Sequence, residues 1–483
     1  MKNERKYYYR FLCSTVLTLV ATAMFMFVWV SFVRVNNQTN ALMGYGNLGM
    51  AGLIYALLYV FTGFKLKAFK IGVERKANII VSHAISLLVV DSAEVLVSMA
   101  ITGQFRFFGA FLWRYALLFV AQSIVIGLLT IPMIDLYRRV FPPFRVLEVY
   151  GDHESELSRK FDAVKYKYHI ADRLHYKEEQ LNARIGSFDA VLINDIPASE
   201  RNRILEFCFD QNKRVYFVPK ITDIMVKSSD ELNLLDSPLY LCRNSGMTKT
   251  EAVFKRVIDV VFCIFALIIL SPVFLITALA IKLNDGGPVF YRQERCTING
   301  SRFMIIKFRS MIVDAEKDGR SHPAGEDDDR ITKVGRIIRA TRIDELPQLF
   351  NIIKGEMSIV GPRPERVEHV LKYTEDIPEF SLRNKVKGGL TGYAQVYGKY
   401  NTTAADKLKL DLVYIMNYSL LLDLQIMLET IKILFQRTAP RDLRKNDQQK
   451  CTTQILRKNR HKQSGDKESG LHEDSCDMSA LLA

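Results

Sequence analysis

Four long apolar runs near the start of the chain constrain its fold more than any other feature of the sequence. All within the first 136 residues, they cover Phe11–Val33, Leu48–Phe64, Asn78–Ile101 and Gly109–Ile134. Each has close to the ~20 residues that a helix needs to cross the hydrocarbon core of a bilayer. The first run lacks the small-residue cleavage pattern of a signal peptide, and further spans follow it, so we interpret it as a retained span. The sequence predicts an integral membrane protein with a four-helix transmembrane unit over residues 1–140.

The basic residues of the short loops predict the orientation of this unit. The leader MKNERKYYYR, the loop 65–76 and the exit segment YRRV are basic, whereas the two other loops are nearly free of lysine and arginine. By the positive-inside rule, both ends of the unit lie in the cytoplasm. Asp91 and Glu94 are costly inside the third run, and they mark either a functional site or a contact between helices.

Cysteine usage and net charge narrow the classes of function. The seven cysteines form no CxxC pair, and no histidine lies at zinc-ligand spacing from them, which predicts reduced cytosolic thiols. The net charge of +14 favours anionic partners such as membrane lipid or nucleotides, although part of the excess follows from the positive-inside rule. Nucleic acid is not expected as a partner, because the sequence has no recognition motif or aromatic-basic repeat.

Residues 145–243 have the alternating pattern of a small doubly wound α/β domain. The runs RVLEVY, DAVLIND and RVYFVP are typical of buried parallel strands, and ASERNRILEFCFDQ predicts a crossover helix. The first strand ends in Tyr150-Gly151-Asp152-His153, without the GxGxxG that brings backbone amides up to a pyrophosphate. We therefore predict a Rossmann-like cytoplasmic domain with a structural or regulatory role, and a cofactor site is the less favoured alternative.

A fifth apolar segment, residues 255–282, is long enough to span the membrane but has Ser271 and Pro272 in its middle. Proline removes a backbone hydrogen bond inside a helix. Basic residues flank both ends of the segment, and the chain beyond it is rich in lysine and arginine with no later span to return it. We predict a helix that enters the membrane, breaks at Ser271-Pro272 and leaves on the same face. An ordinary fifth span is the alternative.

Short basic and glycine-containing motifs concentrate between residues 284 and 436. In order, they include KFRSM, IDELPQL, GEMSIVGPRP and LTGYAQV. Arginine suits bidentate contact with phosphate and lysine supplies a compact charge, so the region fits an anionic substrate that carries phosphates.

With these motifs, residues 250–436 resemble the bacterial sugar transferase domain of polyprenyl-phosphate hexose-1-phosphate transferases, the monotopic phosphoglycosyl transferases. The preceding spans and α/β domain resemble the larger members of that family. The sequence departs from the usual family pattern at Thr297, where glycine is common, and at Tyr393, where tryptophan is frequent.

The resemblance implies a mainly α, monotopic catalytic domain with a re-entrant membrane helix, and it implies roles for the adjacent Asp344 and Glu345. Asp344 is the expected nucleophile, attacking the β-phosphate of a nucleotide sugar, and Glu345 is the expected ligand of Mg²⁺. An arbitrary Asp-Glu pair is more often a solvated helix N-terminus, where the helix dipole favours acids. The Leu-Pro-Gln-Leu step behind this pair and the GPRP turn downstream favour the catalytic role.

Four basic residues are expected to bind substrate. Lys307 and Arg309 of KFRSM, and Arg339, resemble the family's phosphate-binding positions, with anchoring to lipid headgroups as the alternative. Arg363 lies between two prolines that fix the backbone around it. A stiff turn that presents one arginine suits a nucleotide phosphate, and a structural salt bridge is the competing role.

The resemblance implies an enzyme that transfers a hexose 1-phosphate from a UDP-sugar to undecaprenyl phosphate and releases UMP. This is the first step of exopolysaccharide, capsule or O-antigen repeat-unit synthesis. It also implies a multi-pass protein of the bacterial inner (plasma) membrane whose catalytic domain faces the cytoplasm. A catalytically silent scaffold of polysaccharide assembly and a glycosyl transferase that releases UDP are the alternatives.

The sequence leaves several points open. Glucose, galactose and N-acetylated sugars all stay candidates for the donor sugar, and a homo-oligomer is neither indicated nor excluded. Residues 437–483 are polar and charged, which predicts a disordered cytoplasmic tail.

Overall fold

The structure is a computed structural model that describes most of the chain. The described residues are 2–36, 45–151, 157–162, 164–242, 247–313, 315, 328–398 and 402–435. The predicted tail at 437–483 lies outside them.

Four long helices lie where the sequence predicts the first four spans. They are α1 (Lys2–Val28, continued by a π-helical turn over Trp29–Val33), α2 (Tyr45–Lys65), α3 (Lys76–Thr102) and α4 (Phe108–Val140). Side chains of all four pack into one apolar core that includes Phe25, Tyr55, Leu87 and Phe111. The helices also expose many large apolar side chains on their outer faces, a pattern typical of helices that contact lipid.

A hydrogen-bonded network inside this core joins the four helices. The Tyr55 hydroxyl of α2 donates to Asp91 Oδ1 of α3 at 2.8 Å. The Gln122 amide of α4 donates to the Tyr55 hydroxyl and to the Ala21 carbonyl of α1, both at 2.9 Å. Polar groups within a membrane bind one another across helices in this way. Asp91 therefore makes the contact between helices that was one of its two predicted roles.

A parallel four-stranded sheet follows, with strand order β2-β1-β3-β4. Its elements are β1 (Phe144–Tyr150), α5 (Leu157–Asp162), β2 (Tyr168–His175), α6 (Leu181–Ile185), β3 (Ala190–Asn194), α7 (Ala198–Asp210) and β4 (Arg214–Phe217). Leu147 and Val149 of β1 pack with α6 and α7, whereas Val146 packs on the other side with residues around α5. Helices thus cover both faces, which confirms the predicted α/β arrangement. The strand β2 is an addition to the three strands that the sequence predicts.

After the sheet, the chain forms α8 (Ile221–Lys227) and an antiparallel hairpin of β5 (Asp230–Leu234) and β6 (Ser237–Leu241). Ile224 of α8 packs into the core of the C-terminal domain, whereas both hairpin strands are exposed along their whole length. This hairpin was not expected from the sequence.

The fifth apolar segment forms one continuous helix, α9 (Lys249–Asp285), so the predicted break in the helix at Ser271 and Pro272 is wrong. Pro272 has no N–H to donate to the Ile268 carbonyl, but the Ser271 hydroxyl donates to that carbonyl at 2.8 Å. The hydroxyl replaces the lost backbone hydrogen bond, which is one way in which membrane helices tolerate proline. Together with the four N-terminal helices, α9 is long and apolar enough to cross a membrane, by length and composition.

The C-terminal domain is mixed α/β, which corrects the prediction of a mainly α domain. Its strands form two small sheets, antiparallel β7–β8 and parallel β9–β10. The elements are β7 (Phe290–Cys296), β8 (Arg302–Phe308), α10 (Lys333–Ala340), α11 (Gln348–Lys354), β9 (Ser358–Val360), α12 (Val367–Asp376), β10 (Gly389–Thr391), α13 (Tyr393–Tyr397), α14 (Ala404–Met416) and α15 (Leu420–Phe435). Strands of three residues leave almost no periodic signal in a sequence, which is why β9 and β10 were not predicted.

Both halves of α9 pack against this domain. Before Pro272, the Ser358 hydroxyl of β9 donates to Asp259 at 2.7 Å. Beyond Pro272, the Phe274 ring lies 5.8 Å from the ring of Phe350 in α11. The C-terminal domain therefore contacts α9 on both sides of its proline.

Candidate active site

The carboxylate pair lies on a short 3-10 turn, Ile343–Glu345, between α10 and α11. Arg342, directly before the turn, has a φ of 60°, in the left-handed region that ends regular helix. Pro347, whose φ is fixed at a helical value, then precedes the first residue of α11. The Glu345 side chain is only 12% exposed, so the pair is not the solvated helix N-terminus that was the alternative.

Glu345 is held among three cations. Its Oε1 atom lies 2.8 Å from Arg363 Nη2, 3.3 Å from Lys307 Nζ and 3.6 Å from Arg342 Nη1. Burial alone would raise the pKa of Glu345, but the charges of Arg363 and Lys307 outweigh it and hold that pKa well below the ordinary glutamate value. Glu345 is therefore ionised at neutral pH.

The surroundings of Asp344 raise its pKa, whereas those of Glu345 lower the pKa of Glu345. Its Oδ1 atom is buried and has no hydrogen-bond partner within the part of the chain that the structure describes. Burial, and after it the negative charge of Glu345, raise the pKa of Asp344 against the opposing charge of Lys307. Two neighbouring carboxyl groups thus have pKa values shifted in opposite directions, a pattern typical of groups with different catalytic tasks.

Lys307 reaches Glu345 from β8, and Asn351 fixes β8 to α11. The Ile306 N–H donates to Asn351 Oδ1 at 3.0 Å, and Asn351 Nδ2 donates to the Met304 carbonyl at 2.8 Å. Burial lowers the pKa of Lys307, and the Glu345 carboxylate opposes that shift. The side-chain amide of Asn351 thus sets the distance between the lysine and the carboxylate pair.

Arg363 lies on the turn after β9, and buried groups hold that turn in place. Arg383 Nη2 donates to the Arg363 carbonyl at 2.9 Å and pairs with the buried Asp411 at 2.8 Å. A Cβ atom at Gly361 would lie 2.4 Å from the Lys387 carbonyl oxygen, so only glycine fits there. The structure thus brings Arg363 into a salt bridge with Glu345, the competing role that its sequence left open.

Arg309 is buried and fully engaged elsewhere. Its guanidinium pairs with Asp285 at the end of α9, with Nη1 to Oδ2 at 2.8 Å, and its Nε donates to the Pro288 carbonyl at 2.6 Å. A Cβ atom at Gly287 would lie 2.7 Å from the guanidinium, so the chain packs closely around it. These contacts give Arg309 a structural role at the junction of α9 and β7, and its predicted contact with phosphate stays a prediction.

Arg339 lies near the pair without binding it. It is half-buried in the last turn of α10, and its positive charge acts to lower the pKa of Asp344. Its side chain makes no hydrogen bond or ion pair with another described residue, so it is available to a ligand.

Sequence reasoning missed two arginines of this site. Arg342 contacts Glu345, and Arg295 of β7 has a buried Nε without a hydrogen-bond partner among the described residues. Burial, together with the positive charge of Arg363, lowers the pKa of Arg295 to about 10. The basic run around Arg295 was visible in the sequence, but its proximity to Arg363 depends on how β7 packs and has no local signal.

The donor set at this site suits a divalent cation that is shared with a substrate. Among the described residues, no group of three or more His, Cys, Asp or Glu could hold a metal by itself. Mg²⁺, however, is usually bound through one or two carboxylates together with substrate phosphates. The ionised Glu345 and the unpartnered Oδ1 of Asp344 fit that requirement.

Comparison with known proteins places this site within a family. Residues 250–437, which contain all the site residues, match the model of the bacterial sugar transferase family. The UDP-glucose:undecaprenyl-phosphate glucose-1-phosphate transferase of Klebsiella pneumoniae is 34% identical over 340 residues, covering 69% of this chain and 70% of the relative.

Two further relatives differ in the sugar that their names give. The UDP-N-acetylgalactosamine-undecaprenyl-phosphate N-acetylgalactosaminephosphotransferase of Aeromonas hydrophila is 38% identical over 261 residues, covering 51% of this chain and 59% of the relative. The UDP-glucose:undecaprenyl-phosphate glucose-1-phosphate transferase of Caulobacter vibrioides is 43% identical over 186 residues, covering 37% of this chain and 69% of the relative. The chain therefore belongs to the bacterial sugar transferase family, among the membrane-bound polyprenyl-phosphate sugar-1-phosphate transferases.

Proposed function

We propose that this enzyme transfers a hexose 1-phosphate from a UDP-sugar to undecaprenyl phosphate and releases UMP, with Asp344 as a covalent nucleophile. One observation carries the proposal: the buried Oδ1 atom of Asp344, which has no hydrogen-bond partner among the described residues, lies beside an ionised Glu345 that is held by Lys307 and Arg363. A desolvated carboxylate without hydrogen bonds is more nucleophilic than a paired one. The surrounding cations offset the repulsion between that carboxylate and a diphosphate.

The reaction has two displacements at one phosphorus atom. An oxygen of Asp344 attacks the β-phosphorus of the UDP-sugar, the bond from that phosphorus to the bridging oxygen breaks, and UMP leaves with that oxygen. The sugar phosphate is then joined to Asp344 as an acyl phosphate. An oxygen of undecaprenyl phosphate attacks the same phosphorus, the bond to Asp344 breaks, and the carboxylate is regenerated as the lipid diphosphate sugar forms. A covalent route lets a soluble donor and a membrane-bound acceptor use one site in turn.

Glu345, with the adjacent Asp344, would hold Mg²⁺, which when bound supplies positive charge to the diphosphate oxygens. Arg339, whose half-buried side chain has no partner among the described residues, is available to phosphate oxygens of the donor. Arg295, whose charge interacts with that of Arg363, adds positive charge nearby. Lys307 and Arg363 keep Glu345 ionised and in place.

We further propose that α9, although its helix is unbroken, bends at Pro272 and leaves the membrane on the face that it entered, and that the catalytic domain faces the cytoplasm. A helix that crosses a bilayer has ~20 residues inside the hydrocarbon core, so a polar domain on one side could not contact both of its halves. The contacts of Asp259 with Ser358 and of Phe274 with Phe350 lie on opposite sides of Pro272 and involve the same domain. The basic loops at 65–76 and after α4 favour the cytoplasmic face. A Ser301→Cys variant should react with a thiol reagent only from the cytoplasmic side, and labelling from the opposite side would contradict this topology.

The first experiment measures nucleotide release from membranes supplied with Mg²⁺, undecaprenyl phosphate and a panel of UDP-sugars that includes UDP-glucose, UDP-galactose and UDP-N-acetylgalactosamine. We expect UMP from at least one donor, its loss in Asp344→Asn, and full release in the matched control Asp376→Asn, an exposed carboxylate in α12. UDP as the product would indicate transfer of the sugar without its phosphate. No release from any donor by folded protein would favour the scaffold.

The covalent step has its own test. Without lipid acceptor, a donor labelled in its β-phosphate should leave one label per protein, and hydroxylamine, which cleaves acyl phosphates, should release it. Asp344→Asn should retain no label, while Asp376→Asn should label like the unmodified protein. Full turnover without protein-bound label would replace the covalent route by direct attack of the lipid phosphate on the donor.

A further inference from the structure

A cavity of about 310 Å³, here called the junction cavity, lies where the end of α2 meets the C-terminal domain. Lys65, the last residue of α2, lines one side of it, and Tyr393 of α13 with Leu421 and Gln425 of α15 line the other. Its volume is at the lower end of the range of small-molecule sites. Because α2 is long and apolar enough to span a membrane and ends at Lys65, the cavity lies at the level of the lipid headgroups.

Contacts between the membrane unit and the C-terminal domain hold the walls of the junction cavity in place. From the loop after α2, the Lys67 ammonium lies over the ring of Tyr397 in α13, 4.4 Å from its centroid. Gln425 Nε2 donates to the Tyr397 hydroxyl at 3.1 Å, and the rings of Tyr393 and Tyr397 lie 4.5 Å apart. The cavity is therefore part of a packed junction and has defined walls.

The polar groups of the junction cavity suit an anion. Lys65 makes no ion pair with another described residue, and its ammonium lies 5.7 Å from the centroid of the Phe61 ring. The Tyr393 hydroxyl has no hydrogen-bond partner within the described part of the chain. Ser419, which also lines the cavity, accepts from the Leu422 N–H at 3.1 Å and can still donate its own hydroxyl proton. Among the described residues no acidic side chain lines the cavity, so one ammonium and two hydroxyl groups are available to phosphate oxygens.

Apolar side chains beside the junction cavity favour a lipid over a soluble phosphate. Phe61, one helical turn before Lys65, and Leu421 expose 50% and 52% of their surface. Leu424, three residues after Leu421 and on the same side of α15, is 51% exposed. Side chains of this kind contact acyl chains at the boundary between headgroups and hydrocarbon. A free phosphate or a nucleotide has no part that would cover them.

We propose that the junction cavity binds the phosphate headgroup of an anionic bilayer phospholipid. Basic groups at the membrane surface attract such lipids. Lys307 and Arg363, which hold Glu345, do not line the cavity, so it is distinct from the active site. The bound phospholipid contacts α2 on one side and α13 and α15 on the other, and it therefore joins the membrane unit to the catalytic domain.

The test changes the charge of the junction cavity while it keeps the fold. Ser419 directly precedes α15, and its hydroxyl caps that helix. Aspartate and asparagine are equally good caps, so Ser419→Asp adds a negative charge to the cavity and Ser419→Asn is the neutral control. Lys65→Gln removes the positive charge. Its matched control is Lys70→Gln, an exposed lysine of the same loop that does not line the cavity.

The full-length protein in detergent micelles is titrated with dioleoyl phosphatidylglycerol, and bound lipid is counted by native mass spectrometry. We expect Lys65→Gln and Ser419→Asp each to raise the dissociation constant of one bound lipid about tenfold, because a charge-assisted hydrogen bond to the phosphate is lost in the first and opposed in the second. Lys70→Gln and Ser419→Asn should leave that constant unchanged. All four variants should melt at the temperature of the unmodified protein in the absence of added lipid.

Three further results would overturn the proposal. Equal effects of Lys65→Gln and Lys70→Gln would show that lysines attract lipid here without a specific site. Dioleoyl phosphatidylcholine, whose headgroup is neutral, should bind more weakly, and equal binding would show that only the apolar side chains matter. Displacement of phosphatidylglycerol by millimolar inorganic phosphate would assign the cavity to a soluble ligand, and its complete displacement by equimolar undecaprenyl phosphate would assign the cavity to the acceptor.

Discussion

Replacing Arg363 by glutamine tests whether its ion pair is what keeps Glu345 ionised. The guanidinium lies 2.8 Å from Glu345 Oε1, the distance of a charge-assisted hydrogen bond. Such bonds contribute about 1.5–3 kcal/mol, and because the Arg363 side chain is 37% exposed, the lower end, about 1.5 kcal/mol, applies. This free energy equals about a tenfold change in the protonation equilibrium of Glu345.

The melting temperature of the catalytic domain reports this loss. For a domain of 150–250 residues, 1 kcal/mol corresponds to about 2–4 °C, so Arg363→Gln should melt roughly 3–6 °C lower at pH 7. The pKa of Glu345 is lowered in the folded protein. Its contribution to stability is therefore present above the unfolded value of about 4.3 and is lost as the pH falls toward the folded value. The difference in melting temperature between the two proteins should shrink below about pH 4.3.

Two comparisons separate the ion pair from a general effect of removing an arginine. Arg302→Gln removes an exposed arginine whose pair with Glu294 is 3.7 Å long, and it should change the melting temperature by less than about 2 °C. In a Glu345→Gln background, Arg363→Gln should cost much less than in the unmodified protein. An equal cost in both backgrounds would refute the argument, because the effect would then not pass through Glu345.

Further predictions concern the nucleophile and the end of α9. UMP release should fall as the pH drops through the pKa of Asp344, with a midpoint above the ordinary aspartate value of about 3.9, because burial and Glu345 raise this pKa. Lys307→Met removes a positive charge that lowers the pKa of Asp344, so the pH at which kcat/KM is half-maximal should move upward. If that pH does not change, Asp344 is not the titrating group. Asp285→Asn leaves the buried Arg309 without its charged partner and should lower the melting temperature more than Arg302→Gln does; equal shifts would show that the pair with Arg309 contributes little.

Helices and strands that are determined by the apolar residues of their own segment were predicted correctly from the sequence. Long apolar runs gave the N-terminal helices, and short apolar runs gave β1, β3 and β4. The strand β2 was missed because its sequence, YHIADRLH, alternates polar and half-buried residues at one edge of the sheet. The motif around Asp344 and Glu345 identified the site, because the order of several motifs carries more information than a single pair of acids.

The roles of residues whose partners are distant in the sequence were harder to predict. Lys307 and Arg309 are two residues apart, and strand alternation would place both on the same face of β8. The strand ends at Phe308, however, and Arg309 binds Asp285 at the far end of α9. No neighbouring residue in the sequence indicates that partner.

We expect the position of α9 to be coupled to the active site through Asp259, because Asp259 binds the strand that leads to Arg363. Asp259 accepts hydrogen bonds from the Ser358 hydroxyl at 2.7 Å and from the Ile359 N–H at 3.3 Å, and β9 leads directly into the turn that carries Arg363. Asp259→Asn replaces one acceptor oxygen by a donor, so we expect a loss of about tenfold in kcat/KM as the turn loses its anchor. If Asp259 acts by positioning Arg363, the same substitution should cost little in the Arg363→Gln background. An equal tenfold loss of kcat/KM in both backgrounds would show that Asp259 stabilises the domain in general. It would also show that α9 does not act on the carboxylate pair through Arg363.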